Sequence, residues 1–133
     1  MESGKLFQQV RDLKFPMGEY VIFGSGPICA RGLRECNDID LFVTKKFWDS
    51  IKETNEWKEG ITLKGSQNLK KGDVELIYEW KPGEWNVNTL IAEAEVIGGL
   101  PFAKIERVIE WKKLMAREKD FKDIKLVEDY LKM

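Results

Sequence analysis

The stretch FGSGPICARGLRECNDIDLFV, Phe23 to Val43, constrains this chain more than any other. It reads as an apolar strand, a glycine turn, a short helix, and a strand that opens on two carboxylates one residue apart. Tyr20 to Phe23 is a short apolar run ending at Gly24, the mark of a buried strand. Gly24-Ser25-Gly26-Pro27 turns the chain, and Pro27 suits the first position of a helix running to about Leu33. In the strand Asp38 to Val43, alternate side chains share a face. Asp38 and Asp40 therefore point the same way, roughly 7 Å apart at Cα, while Ile39 and Leu41 point into a core. Two like charges beside a core are costly unless something cationic meets them. A pair of Mg²⁺ ions is the usual remedy where phosphoryl groups are transferred, because hard cations take oxygen ligands and keep phosphates in their shell. The glycine turn suits the same chemistry. Backbone N–H groups between a strand and a helix start can face a phosphate, and Ser25 adds a hydroxyl.

Competing motifs fail on their own terms. A P-loop needs Gly-Lys-Ser/Thr, which does not occur. A dinucleotide fingerprint needs a third glycine where Cys29 stands, and its acid closes a second strand, whereas Asp38 and Asp40 open theirs. The 133 residues contain no His, which excludes Ser-His-Asp and Cys-His pairs, a His base and His-ligated zinc. The working groups expected of an enzyme are then carboxylates with Lys and Arg. Cys29 and Cys36 are seven apart, fit no CxxC spacing, and read as buried or incidental small hydrophobes. With 22 Lys+Arg against 23 Asp+Glu, the chain is not a general nucleic-acid coat. No apolar run is long enough to span a membrane, and the start lacks an apolar signal region, so a cytoplasmic location is expected.

The rest of the chain reads as one domain, 1–133, with a core over about 18–105 and a helical end over about 106–133. Residues ~3–15 have helical spacing, with Ser3 as N-cap and Leu6, Phe7, Val10 and Leu13 on one face. Thr44 caps a helix reaching about Trp57. Ile61 to Leu63, Val74 to Trp80 and Leu100 to Ile105 read as strands, and Asn88 to Ala94 as a helix. From about Glu106 two helices follow, bent near Glu118 to Asp120. Mixed strands and helices of this kind give an α+β (α/β) class: a small mixed sheet flanked by helices.

The pattern of Gly24, Ser25, Asp38 and Asp40, with apolar Ile39 and Leu41, resembles the nucleotidyltransferase superfamily that includes DNA polymerase beta. The chain's size is similar to that of the minimal, antitoxin-type members. The resemblance implies that Asp38 and Asp40 bind metal and that a third acid on a neighbouring strand completes the site. In GDVELIYEW, Glu75 has the apolar-acid-apolar form the family uses, with Asp73 and Glu79 as alternatives. The C-terminal stretch also resembles small members through Lys113, Ala116, Arg117, Lys119, Asp120, Asp123 and Ile124. That implies a triphosphate contact from Lys113, Arg117 or Lys119. Basic helix residues are natural phosphate clamps, though a solvated, paired face has the same composition. Asp120 and Asp123 read as caps or partners of Arg117, and Arg31 and Arg34 as phosphate or helix-end contacts. Trp80 and Trp85 could stack a nucleobase, but packing is the preferred reading.

The sequence thus leads to an enzyme that uses two Mg²⁺ ions, with Mn²⁺ as a substitute, to move a nucleoside monophosphate from a nucleoside triphosphate to an unidentified hydroxyl acceptor. The acceptor would be a protein side chain, an RNA end or a small molecule. The alternative is an antitoxin-like module of the same fold that binds a toxin-like protein and has weak or no catalysis.

Overall fold

The computed structural model describes residues 3–133; the N-cap expected at Ser3 rests on a side chain outside the described ones. The elements follow in the order α1 (Ser3–Leu13), β1 (Tyr20–Phe23), α2 (Gly26–Ala30), β2 (Ile39–Val43), α3 (Lys45–Lys52), β3 (Lys58–Ile61) and β4 (Gln67–Lys71). Then come β5 (Val74–Ile77), α4 (Val87–Ala92), β6 (Glu95–Ile97), β7 (Leu100–Phe102), α5 (Ile105–Met115) and α6 (Glu118–Leu131). The strands form one sheet in the order β3-β4-β5-β2-β1-β7-β6, so the class is α+β with a mixed sheet. β1 and β2 pair antiparallel, while β2 pairs parallel with β5 and β1 with β7.

Strand alternation sorts the apolar residues onto two faces. Ile22, Ile39, Leu41, Val43, Leu76 and Phe102 face one side, with Val10 of α1 and Trp48 of α3 packed against them. Val21, Phe23, Phe42 and Ile77 face the other, under Leu90 of α4, Val108 and Trp111 of α5 and Val127 of α6. The acids at positions 38, 40 and 75 lie on this second face by the same alternation. Their end of it borders a cavity lined by Asp40 and Glu75, with Asp38 exposed beside them, and that is what makes a site.

Several boundaries differ from the sequence reading. The Thr44 cap forms, its Oγ1 accepting from the Phe47 N–H at 3.2 Å. The helix it starts stops at Lys52 rather than near Trp57, because Asn55 takes a left-handed φ of 58°. Trp57 instead packs near Phe15, ring centroids 6.1 Å apart. β4 and β6 were not foreseen. Gln67–Lys71 has Leu69 as its one apolar residue, so its strand character comes from pairing with β3 and β5, not from its own periodicity. Ile105 begins α5 instead of ending β7.

Cys29 and Cys36 are buried as expected, and they are also joined in a disulfide, with Cα atoms 6.1 Å apart. The link closes the loop between α2 and β2. Seven-residue spacing did not announce it, because the approach is made by the turn after α2, where the Gly32 N–H donates to the Cys29 carbonyl at 3.0 Å.

Two measurements probe this packing. A Cβ on buried Gly26 would lie 2.4 Å from Cγ2 of Ile22, whereas one on Gly4 would meet nothing within 4 Å. Gly26→Ala is expected to cost about 1–3 kcal/mol by overpacking, and Gly4→Ala to be neutral or stabilising by up to about 1 kcal/mol. Urea titration checks both, and equal effects would refute the packing described. Reduction of the Cys29–Cys36 link is expected to cost about 2 kcal/mol through loop entropy. An unfolding midpoint indifferent to reductant would show that the link does not form.

Candidate functional site

The parallel register of β2 and β5 sets Asp40 directly beside Glu75. Asp38 lies just before β2 and is exposed at the mouth of the same face. On the far side, β4 brings Lys70 opposite Glu75, and Asn68 Nδ2 donates to Glu75 Oε2 at 2.7 Å. Burial pushes the Asp40 carboxyl up to about 8, helped by the charges of Glu75 and Asp38 and by a hydrogen bond shared with Glu75, while Lys70 pulls the other way. Below that pH a proton bridges the two carboxyls.

Gly24 lets the backbone come this close. Its φ is +67°, and a Cβ there would stand 3.0 Å from Asp40 Oδ2. A side chain would be both strained and pressed on the carboxylate. The next residue, Ser25, precedes α2, and its Oγ accepts from Arg34 Nη2 at 2.8 Å and from Lys112 Nζ at 3.1 Å.

Behind Ser25 lies a buried ion-pair cluster. Arg34 grips Asp123 with two bonds of 2.7 and 2.8 Å. Lys112 Nζ is 2.9 Å from Asp123 and 3.5 Å from Asp120. Arg117 binds Asp120 through Nε at 2.6 Å and Nη2 at 3.0 Å, and its backbone N–H donates to the same carboxylate at 3.1 Å, capping α6. Burial pushes both carboxyls up, but hydrogen bonds from Arg117 at Asp120, and from Arg34 and Lys112 at Asp123, outweigh it and leave both lowered. Removing Lys112, buried between the two buried carboxylates, leaves an uncompensated charge, at a cost of about 3–5 kcal/mol.

The foreseen residues divide among three hollows. Ser25, Asp38 and Lys119 line one groove, with Arg34 and Lys122. Asp40, Glu75 and Arg117 line a second cavity of about 330 Å³ on the other side of the carboxylates. Lys113 is not brought to either; it lines a third hollow with Trp85 and Leu90. The buried cation of α5 is its neighbour Lys112, which the sequence reading passed over. A signal was available: Lys112 lies four residues after Val108 and seven after Ile105, on the buried stripe of the helix. Of the alternative third acids, Asp73 accepts from Gln9 Nε2 at 3.1 Å, and Glu79 lies beyond β5 and is exposed. Asp123 pairs with Arg34 and Lys112 rather than with Arg117. Arg31 holds Glu95 at 3.0 Å. The tryptophans pack: Phe23 lies 4.7, 5.3 and 5.9 Å from Trp80, Trp85 and Trp111 between ring centroids.

Oxygen donors crowded until a proton must bridge them suit a hard divalent cation. Asp40 and Glu75, with Asp38 at the mouth, are the residues that would hold one, although among the described residues no group of three or more acids or cysteines is already arranged around a single position. Among those residues, no helix is long and apolar enough to cross a membrane.

The chain is similar in structure to ANT(2")-Ia in complex with adenylyl-2"-tobramycin, with 20% sequence identity and a TM-score of 0.54 over 96% of this chain and 86% of that one. At that identity the likeness shows the fold, which is nucleotidyltransferase-like. No protein-family model matches the sequence, and neither does any curated protein.

The raised Asp40 carboxyl has a definite consequence for stability. Between the usual carboxylate range and about pH 8 the folded protein holds a proton that the unfolded chain has lost. Without a cation, stability therefore falls as pH climbs through that window, and the loss is complete above it. Asp40→Asn has no such proton, so in chelator its Tm advantage over the parent is expected to grow by about 4 °C or more between pH 4.5 and 8.5. A difference that stays constant with pH would contradict the shared proton.

Proposed function

We propose that this protein transfers a nucleoside monophosphate from a nucleoside triphosphate to a hydroxyl acceptor. One observation carries the reading: Asp40 and Glu75 are adjacent across parallel strands and line one cavity, while Asp38, two residues before Asp40, lines a groove with Ser25. The nucleotidyltransferase-like fold supports it, and so does the nucleotidylated alcohol bound by ANT(2")-Ia.

In this reading the triphosphate lies along the groove of Ser25, with Lys119 and Lys122 offering cations to its oxygens. Arg34 and Lys112 hold the Ser25 hydroxyl in place. Arg34 and Lys112 are themselves held by Asp123, so the cradle needs little rearrangement when charge develops. Asp38, Asp40 and Glu75 would hold a divalent cation, Mg²⁺ or Mn²⁺, which when bound neutralises phosphate charge and lowers the pKa of the acceptor hydroxyl. The Asp40–Glu75 pair takes the acceptor's proton and passes it to water. The acceptor oxygen then forms a bond to the α-phosphorus. The bond from that phosphorus to the bridging oxygen breaks, its electron pair leaving with pyrophosphate. A partner-binding role without catalysis has no observation of its own in its favour.

Calorimetric titration of ATP, CTP, GTP and UTP with Mg²⁺ tests this. Binding of at least one is expected, weakened at least about tenfold in Asp38→Asn/Asp40→Asn and unchanged in Lys113→Ala. Incubation with α-labelled nucleotide should then yield pyrophosphate in step with labelled acceptor. If the folded protein binds none of the four, the proposal fails.

A further inference from the structure

The cavity on the Glu75 side of the carboxylates is not used by the triphosphate in the reading above, and its lining is chemically distinctive. Lys64, Lys70, Lys81 and Arg117 line it, against Asp40 and Glu75 as its acids. Arg117 is committed to Asp120, but Lys64, Lys70 and Lys81 form no ion pair among the described residues. The two acids are those that would hold the cation, so with it bound their charge is offset and the three lysines leave the cavity positive.

Beside the polar Thr62, Ser66 and Asn68, the rest of the wall is apolar. Ile61 and Leu63, at the tip of the β3–β4 hairpin, line the cavity although they are 74% and 101% exposed. Met115 and the edges of Trp80 and Trp111 complete it. Two buried polar atoms of this wall, Oδ1 of Asn68 and Nε1 of Trp80, have no hydrogen-bond partner, and buried polar groups seldom stay unpaired without a reason. At about 330 Å³ the space sits at the small end of ligand pockets, enough for a compact molecule.

We propose that this cavity is the acceptor site and that the acceptor is a small anionic alcohol, an apolar or flat body bearing a carboxylate or phosphate, held by Lys64, Lys70 and Lys81 with its hydroxyl toward Glu75 and Asp40. This rests on the nucleotidyl-transfer reading. The apolar wall takes the body, the lysines take the anion, and the field disfavours a polycation by like-charge repulsion. The reaction releases the hydroxyl proton to water and the leaving group as pyrophosphate, as written above.

Three matched probes that share one ring isolate the charge: 4-(hydroxymethyl)benzoate, 1,4-benzenedimethanol and 4-(aminomethyl)benzyl alcohol. Each is titrated by ligand-observed NMR into protein loaded with a non-hydrolysable nucleotide and Mg²⁺, the nucleotide's own binding being measured first. The benzoate is expected to bind about tenfold more tightly than the neutral diol, and the ammonium compound more weakly still. Lys64→Gln/Lys81→Gln should erase that order while leaving nucleotide affinity unchanged. Equal binding of the three probes, no binding of the benzoate, or a preference for the ammonium compound would overturn the proposal. So would an RNA oligonucleotide that binds the same lysines at least tenfold more tightly than the benzoate. Loss of nucleotide binding itself would instead count against nucleotidyl transfer, so the two failures are separable.

Discussion

Two carboxylates held side by side in a packed sheet repel each other, and much of this molecule is arranged around that fact. The parallel pairing of β2 with β5 makes Asp40 and Glu75 neighbours, and burial makes their repulsion expensive enough that a proton bridges them. Gly24 keeps backbone against Asp40 without a side chain in the way, while Lys70 and Asn68 face Glu75 from the next strand. A fold that tolerates such an arrangement without a cation does so at a cost to its own stability.

A second polar cluster does the opposite work. Arg34, Lys112 and Arg117 meet Asp120 and Asp123, three cations around two carboxylates, and each member has an ion-paired partner, so the burial of the carboxylates is compensated. Through them, the loop before β2 is tied to α5 and α6, and Ser25 is held from two sides. The disulfide between Cys29 and Cys36 closes the same loop. The turn that follows β1 is thereby fixed relative to the carboxylates by chemistry from four separate elements. Preorganisation of that kind is what the proposed transfer needs, since charge develops on groups already in position.

ANT(2")-Ia shares the fold at low identity, and the two grooves beside the carboxylates decide how far the likeness extends to chemistry. One groove begins at Ser25 and is cationic on α6. The other is cationic and apolar on the β3–β4 hairpin, and the acceptor proposed for it follows from that local composition rather than from the fold.

The sequence by itself determined whatever depends on residues near one another along the chain. The buried strand at Tyr20, the glycine turn, the shared face of Asp38 and Asp40, the Thr44 cap and the break between the last two helices are all set by local periodicity and turn chemistry. Contacts between distant segments were decided by the tertiary structure. Glu75 was one of three candidate acids until strand register put it beside Asp40, and β4 became a strand because its neighbours offered hydrogen bonds, not because of its own pattern. Lys112 rather than Lys113 reaches Ser25 because a single step along a helix turns a side chain by about 100°. Which face of α5 meets the sheet is settled by packing, whereas the spacing of its residues only narrows the choice.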